Sequence, residues 1–66
     1  MDFVQMVSAY IGRSTDVMVT NQLVAGTLAA VTATEIQVLE APTVYTSPGV
    51  LVTVPIRNVD FVRILP

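Results

Sequence analysis

The chain has 66 residues, of which 53% are hydrophobic and 12% charged, and it carries a formal net charge of −2 without any cysteine or histidine. This length predicts one small domain, residues 1–66, which hides only about 60% of its unfolded surface when it folds alone. Because such a domain cannot bury so many apolar residues within itself, we predict that it self-associates. The acidic balance disfavours broad electrostatic binding to nucleic-acid phosphates, and the missing residue types exclude disulfides and the usual zinc clusters.

Residues 2–11 are predicted to form a helix. Asp2 is a suitable N-cap and Gly12 a suitable helix stop. The apolar residues between them recur at helical spacing and form one stripe: Phe3, Met6, Val7 and Tyr10. A helix this short is not stable alone, so we expect it to cover one open end of a sheet. In this interpretation Met6 fills the core, as does Met18 further along the chain.

From Asp16 onward, β-branched residues in alternating patches predict strands. The first strand spans residues 16–20 and the second 23–32, with a turn at Asn21-Gln22 between them. Gly26 lies inside the second strand, where a glycine usually marks a sharp bend or a bulge. A long strand bent at this glycine serves two faces of a sheet, which is what closure of a small barrel requires.

The second strand also contains the most apolar window of the chain, Leu23 to Ala33. Gly26, Thr27 and Thr32 interrupt this window, and it falls short of the roughly 20 residues that a membrane-spanning helix needs. The amino terminus lacks the basic region that begins a secretory signal. We therefore predict a cytoplasmic protein that does not enter a membrane.

Further strands are predicted at residues 35–41, 50–56 and 59–65. Proline, serine and glycine between them predict a loop over residues 41–49, into which Val44 and Tyr45 extend a strand in one interpretation.

Pro55 is followed almost at once by Arg57-Asn58, and this spacing predicts a tight reversal or a corner between the last two strands. The predicted fold is therefore all-β, with a short N-terminal helix. Residues 16–65 form five strongly bent strands that close into a small barrel of the SH3 type.

Catalysis is not expected. No serine has an evident base nearby, and Glu35 and Glu40 face opposite sides of a strand. The remaining carboxylates are predicted to be single solvated charges: Asp2, Asp16 and Asp60. The glycines do not form a phosphate-binding pattern. We predict neither an enzyme nor a bound metal or cofactor.

Arg57 is the leading candidate for a binding residue. It follows an apolar strand at a tight turn, where its guanidinium is placed to stack on a base or contact a phosphate. The alternative, which residue type alone favours, is a salt bridge to Asp60 or to a neighbouring subunit. Tyr45 either stacks on a ligand or covers the barrel rim. Arg13 and Arg63 are expected to be solvated.

Two spaced motifs carry a family resemblance. The first is Gly-x-Leu followed by an apolar run: Gly26, Thr27, Leu28, Val31, Val38, Leu39 and Glu40. The second begins Ile-Arg and continues with spaced apolar residues: Ile56, Arg57, Asn58, Phe61 and Ile64. In order and spacing, over residues 16–65, they resemble the two motifs of the Sm-like family of small ring-forming barrels.

This resemblance implies a homo-oligomeric ring in which the edge strands of neighbouring subunits pair, here residues 50–56 and 59–65. It also implies binding of single-stranded RNA at the inner rim, where the family uses an aspartate, an asparagine and an arginine followed by glycine. The corresponding positions of this chain hold, in order, Thr32, Ile36, Arg57 and Asn58. The resemblance thus implies a modified base-binding site.

Three functions follow from these observations. In the first, the ring binds RNA, with Arg57 stacking on or clamping the nucleotide while Thr32 and Asn58 make polar contacts. In the second, the ring is a structural or protein-interaction adaptor without RNA, which the acidic balance and Ile36 favour. In the third, a monomeric SH3-type barrel grips an extended peptide, a mode that the small number of aromatic residues disfavours.

Overall fold

The computed structural model describes residues 2–41 and 49–66. One short helix is followed by five strands, the last two joined by a 3-10 turn at Ile56–Asn58. The elements are α1 (Phe3–Ser8), β1 (Ser14–Val19), β2 (Gln22–Val31), β3 (Glu35–Glu40), β4 (Val50–Pro55) and β5 (Val59–Ile64). The predicted strand extension at Val44 and Tyr45 lies outside the described residues.

All neighbouring strands pair antiparallel, in the order β4-β3-β2-β1-β5. In a flat sheet the two outer strands of such a five-strand order would lie about 19 Å apart. The chain from Pro55 to Val59 spans at most about 14 Å, so the sheet must curl until its two edges meet at one end. The predicted all-β small barrel with a short N-terminal helix is confirmed.

Gly26 marks the place where β2 and β3 approach each other most closely. A β-carbon at this position would overlap the carbonyl group of Leu39, lying 2.8 Å from its carbon. The register between β2 and β3 shifts between Leu28 and Ala30, so the bulge lies beyond the glycine rather than at it. The close approach and the bulge together bend the long strand.

The core is a cluster of apolar side chains on the inner face of the sheet: Val7, Val17, Val24, Leu28, Ile36, Val38 and Val54. Only one of these residues comes from α1. Phe3 and Tyr10 are exposed at the surface, and Met6 is 50% exposed. The expectation that Met6 fills the core is therefore wrong, because a helix of six residues resting on the barrel turns a single buried side chain toward it.

Met18 also lies outside the core, although its neighbour Val17 is fully buried. It is partly exposed on the outer face of β1, between Leu23 of β2 and Phe61 of β5. The alternation of a strand explains the correction, because successive side chains point to opposite faces of the sheet.

Two turns are stabilised by backbone conformations that few residues adopt. Gly12 has a φ of 96°, and its N–H donates to the Leu28 carbonyl, which ends the helical segment and ties it to β2. The reversal between β1 and β2 falls at Thr20-Asn21, one residue before the predicted turn, with Asn21 at a φ of 59°. Within residues 2–41 and 49–66, no helix is long and apolar enough to cross a membrane.

We expect Gly26→Ala to lower the free energy of unfolding by about 1–3 kcal/mol, because the added methyl group must push β3 away from β2. Urea denaturation at fixed protein concentration measures the change. Ala25→Ser on the exposed neighbouring residue is the control and should change stability by less than about 0.5 kcal/mol. Equal stability of Gly26→Ala and the original protein would contradict the close approach.

Candidate functional site

Two loops at one end of the barrel form the candidate site. The loop between β2 and β3 meets the 3-10 turn between β4 and β5, where the Ile56 N–H donates to the Thr34 carbonyl over 2.9 Å. A shallow cavity of about 310 Å³ lies between these loops. Its lining residues are Ala33, Thr34, Ile56 and Arg57. The pairing of β3 with β4, in which Glu35 is the register partner of Pro55, therefore brings together two segments that are more than twenty residues apart in sequence.

Thr32 shapes the first of these loops. Its hydroxyl accepts hydrogen bonds from the backbone N–H groups of Thr34 and Glu35, at 3.3 and 3.1 Å. The Thr32 N–H donates to the Glu35 carbonyl over 2.9 Å, which closes the loop. The hydroxyl that the sequence offered as a ligand contact is thus engaged within the protein. A threonine hydroxyl that accepts from the N–H groups two and three residues later is a turn motif that serine and threonine commonly form.

Arg57 and Asn58 are both exposed beside the cavity. Arg57 forms no ion pair with Asp60 in the described part of the chain, where the observed ion pair joins Asp16 and Arg63. Its guanidinium is therefore placed at the cavity mouth without an acidic partner among residues 2–41 and 49–66. An arginine in this position presents several N–H donors and a flat face to a ligand.

Ile36 occupies a different environment from the other predicted site residues. It is fully buried in the core, between Val31 of β2 and Val54 of β4. Its side chain is absent from the cavity lining, so of the four predicted positions only Arg57 lines the cavity directly.

The charged residues Asp16 and Arg63, expected to be solvated, form an ion pair across β1 and β5. The Asp16 side chain is only 9% exposed, whereas that of Arg63 is 65% exposed. The Arg63 Nε and Nη2 both donate to Asp16 Oδ2, the first over 3.1 Å. The pair arises because the two residues are register partners on adjacent strands. They lie 47 positions apart in sequence, so only the strand register reveals the contact.

Asp16 also lines a second, larger cavity of about 470 Å³ on the outer face of the sheet. Gly26 of β2 and Leu39 and Glu40 of β3 are among its other lining residues. Glu35 and Glu40 are the first and last residues of β3 and, by the alternation of the strand, face opposite sides, as their spacing predicted. Within residues 2–41 and 49–66, no group of acidic side chains is arranged to hold a metal ion.

The free edges of the sheet carry exposed apolar side chains that periodicity alone did not identify. On the outer face at the β4 edge, Leu51 is 52% exposed beside its register partner Leu39. At the β5 edge, Phe61 is 51% exposed beside Met18, with Leu23 next in line on β2. We call these the β4 patch (Leu39 and Leu51) and the β5 patch (Phe61, Met18 and Leu23).

Comparison of the chain with models of protein families, with curated proteins and with solved structures gives no significant match. The resemblance to Sm-like proteins therefore depends on the motifs and on the barrel with its two adjoining loops.

We expect Thr32→Val to lower the free energy of unfolding by about 1 kcal/mol, because two backbone N–H groups lose their acceptor. Thr32→Ser keeps the hydroxyl and should retain most of the stability. Thermal and urea denaturation of both variants measure the difference. If the valine variant were as stable as the serine variant, the hydroxyl would not hold the loop.

Proposed function

We propose that this protein is an Sm-like module whose copies join head to tail into a ring by pairing β4 of one subunit with β5 of the next. The observation that supports it is the match between the two sheet edges. Each edge has unpaired main-chain groups, and beside each lies an apolar patch on the same outer face. Pairing the edges places the β4 patch of one subunit next to the β5 patch of its neighbour.

The joined edges are different surfaces, so the contact is heterologous and every subunit has two neighbours. Such a contact closes into a ring when a whole number of the rotations that relate neighbouring subunits adds up to 360°. Leu51 and Phe61, the most exposed residues of the two patches, lie on the edge strands themselves, whereas the outer face between the patches carries Thr27 and Gln37. This distribution is typical of a surface buried on assembly rather than of a solvated monomer.

In this assembly the function we propose is weak binding of single-stranded RNA along one rim. Each subunit contributes a cavity of about 310 Å³ with Arg57 at its mouth and Asn58 beside it. The arginine stacks on a base or contacts a phosphate, and repetition around the ring raises the overall affinity. Because the chain has a net charge of −2, binding relies on this local contact rather than on a broad positive field.

A second candidate function is a ring that serves as a structural or protein-interaction adaptor and binds no RNA. Two observations favour it: Ile36 is buried in the core, and the hydroxyl of Thr32 is engaged in its own loop. These observations remove two of the polar contacts by which the resembled family recognises a base. The monomeric peptide adaptor is the weakest alternative, since its single exposed strand aromatic, Phe61, has no aromatic neighbour within the described sheet.

We expect light scattering on a sizing column to give one mass of several subunits that does not change on dilution. Leu51→Asp should shift the protein to smaller species, because it places a carboxylate in the joined edges. Gln5→Asp places the same carboxylate at an exposed position of α1, outside both patches and away from both edges, and is the control that should keep the original mass. A stable monomer of the original protein would overturn the ring.

We expect single-stranded oligoribonucleotides to bind the ring, and Arg57→Ala to weaken their binding about tenfold through loss of charged hydrogen bonds. Arg13→Gln removes the same charge away from the cavity and should leave most of the affinity intact. Fluorescence anisotropy at fixed salt compares the variants. A ring that binds no RNA would support the adaptor function, and binding unchanged by Arg57→Ala would overturn the site assignment.

A further inference from the structure

The helix α1 and the turn that follows it carry an apolar stripe that the barrel leaves uncovered. Phe3, Met6 and Tyr10 are 38%, 50% and 38% exposed, although they follow the helical spacing that normally marks a buried face. When the helical spacing is continued into the turn, they lie within about 60° of one another, to one side of the buried Val7. Gln5 lies at least about 100° from each of them. We call Phe3, Met6 and Tyr10 the helix stripe.

The position of α1 keeps this stripe away from the edges of the sheet. The helix packs on β2, and the Gly12 N–H and the Leu28 carbonyl join the chain after the helix to the same strand. Because β2 is the middle strand of the sheet order, both β4 and β5 are two strands distant. Head-to-tail joining of the edges therefore covers neither Met6 nor the aromatic residues beside it.

We propose that the helix stripe binds the helix stripe of a second copy of this chain, so that two rings stack face to face. The helices pack antiparallel across a two-fold axis, and every subunit of one ring meets one subunit of the other. This inference rests on the proposed ring, and it adds a second, independent contact to the edge pairing.

The stripe is self-complementary in this antiparallel arrangement. Met6 lies near its centre and meets Met6 of the second copy on the axis, while Phe3 faces Tyr10 of the second copy on either side. Aromatic pairs and sulfur–aromatic contacts both stabilise such a surface. The described chain thus offers a second copy an apolar complement.

The exposed area explains why this contact requires rings. With about 200 Å² for each fully exposed side chain, the stripe presents roughly 250 Å² per copy and roughly 500 Å² per helix pair. Specific protein interfaces begin near about 1,200 Å², so a single pair of monomers is held weakly. Three or more such pairs together exceed this area, and the simultaneous contacts between two rings reinforce one another.

The first experiment compares native masses by light scattering. We expect the original protein to form an even number of subunits and Met6→Asp to have half that mass, because two carboxylates would face each other on the axis. Gln5→Asp adds the same charge outside the helix stripe and should keep the full mass. An identical mass for the original protein and Met6→Asp would overturn the stacking while leaving the ring intact.

The second experiment uses the absence of cysteine from the chain. Met6→Cys should form a disulfide-linked dimer under mild oxidation within the intact assembly, at least fivefold faster than Gln5→Cys. Equal rates for the two variants would overturn the helix contact. Combining Met6→Cys with Leu51→Asp separates the two proposals, since loss of the ring should slow cross-linking to the rate of free monomers. Fast cross-linking that survives loss of the ring would overturn the dependence of stacking on the ring.

Discussion

The shape of this barrel depends on the short connection between β4 and β5. These strands are the two edges of the sheet order, yet only the 3-10 turn at Ile56–Asn58 separates them along the chain. A flat sheet cannot satisfy this connection, because its edges lie farther apart than the turn reaches. The sheet therefore curls. The candidate site itself follows from the pairing of β3 with β4, because Glu35 is the register partner of Pro55 and the Ile56 N–H reaches the Thr34 carbonyl just beyond the end of this ladder.

Closure of the barrel requires β2 to bend while it pairs with β1 on one side and β3 on the other. Gly26 allows the backbones of β2 and β3 to approach, and the register shift after Leu28 adds local twist. Near this bend the sheet has a cavity, which Asp16 lines, and the buried carboxylate of Asp16 forms an ion pair with Arg63. A charge in that position needs its partner, because removal of the guanidinium would leave a carboxylate with little access to water. The ion pair therefore ties β5 to β1 across the bend.

The sequence predicted the strands and the bend well because these features depend on local pattern. β-branched residues at period two, a glycine within a strand and a proline beside a tight turn each have a direct structural reading. The partner of Asp16 was not predictable in this way, because it follows from the register of strands at opposite ends of the sequence. The prediction that Met6 fills the core was wrong for a different reason. Helical spacing identifies an apolar stripe but does not say how much of that stripe the barrel can cover. The engagement of Thr32 follows from a local rule, because serine and threonine hydroxyls in turns commonly accept hydrogen bonds from the N–H groups that follow them.

The apolar residues of the chain are divided between a small buried core and exposed patches on the surface. Among residues 2–41 and 49–66 the core uses seven apolar side chains, a small set for a domain that must offset the conformational entropy of its whole backbone. In the same part of the chain, large apolar side chains remain exposed in the β4 patch, the β5 patch and the helix stripe, and at Ile11 and Val50. Burying them in contacts between folded subunits stabilises the native state by mass action, because the unfolded chain makes no such contacts. Folding and assembly are then coupled, and the concentration dependence of unfolding reports both. In the assembly we propose, a chain with so small a core would gain part of its stability from its neighbours, so the surfaces that would build the assembly would also maintain the fold.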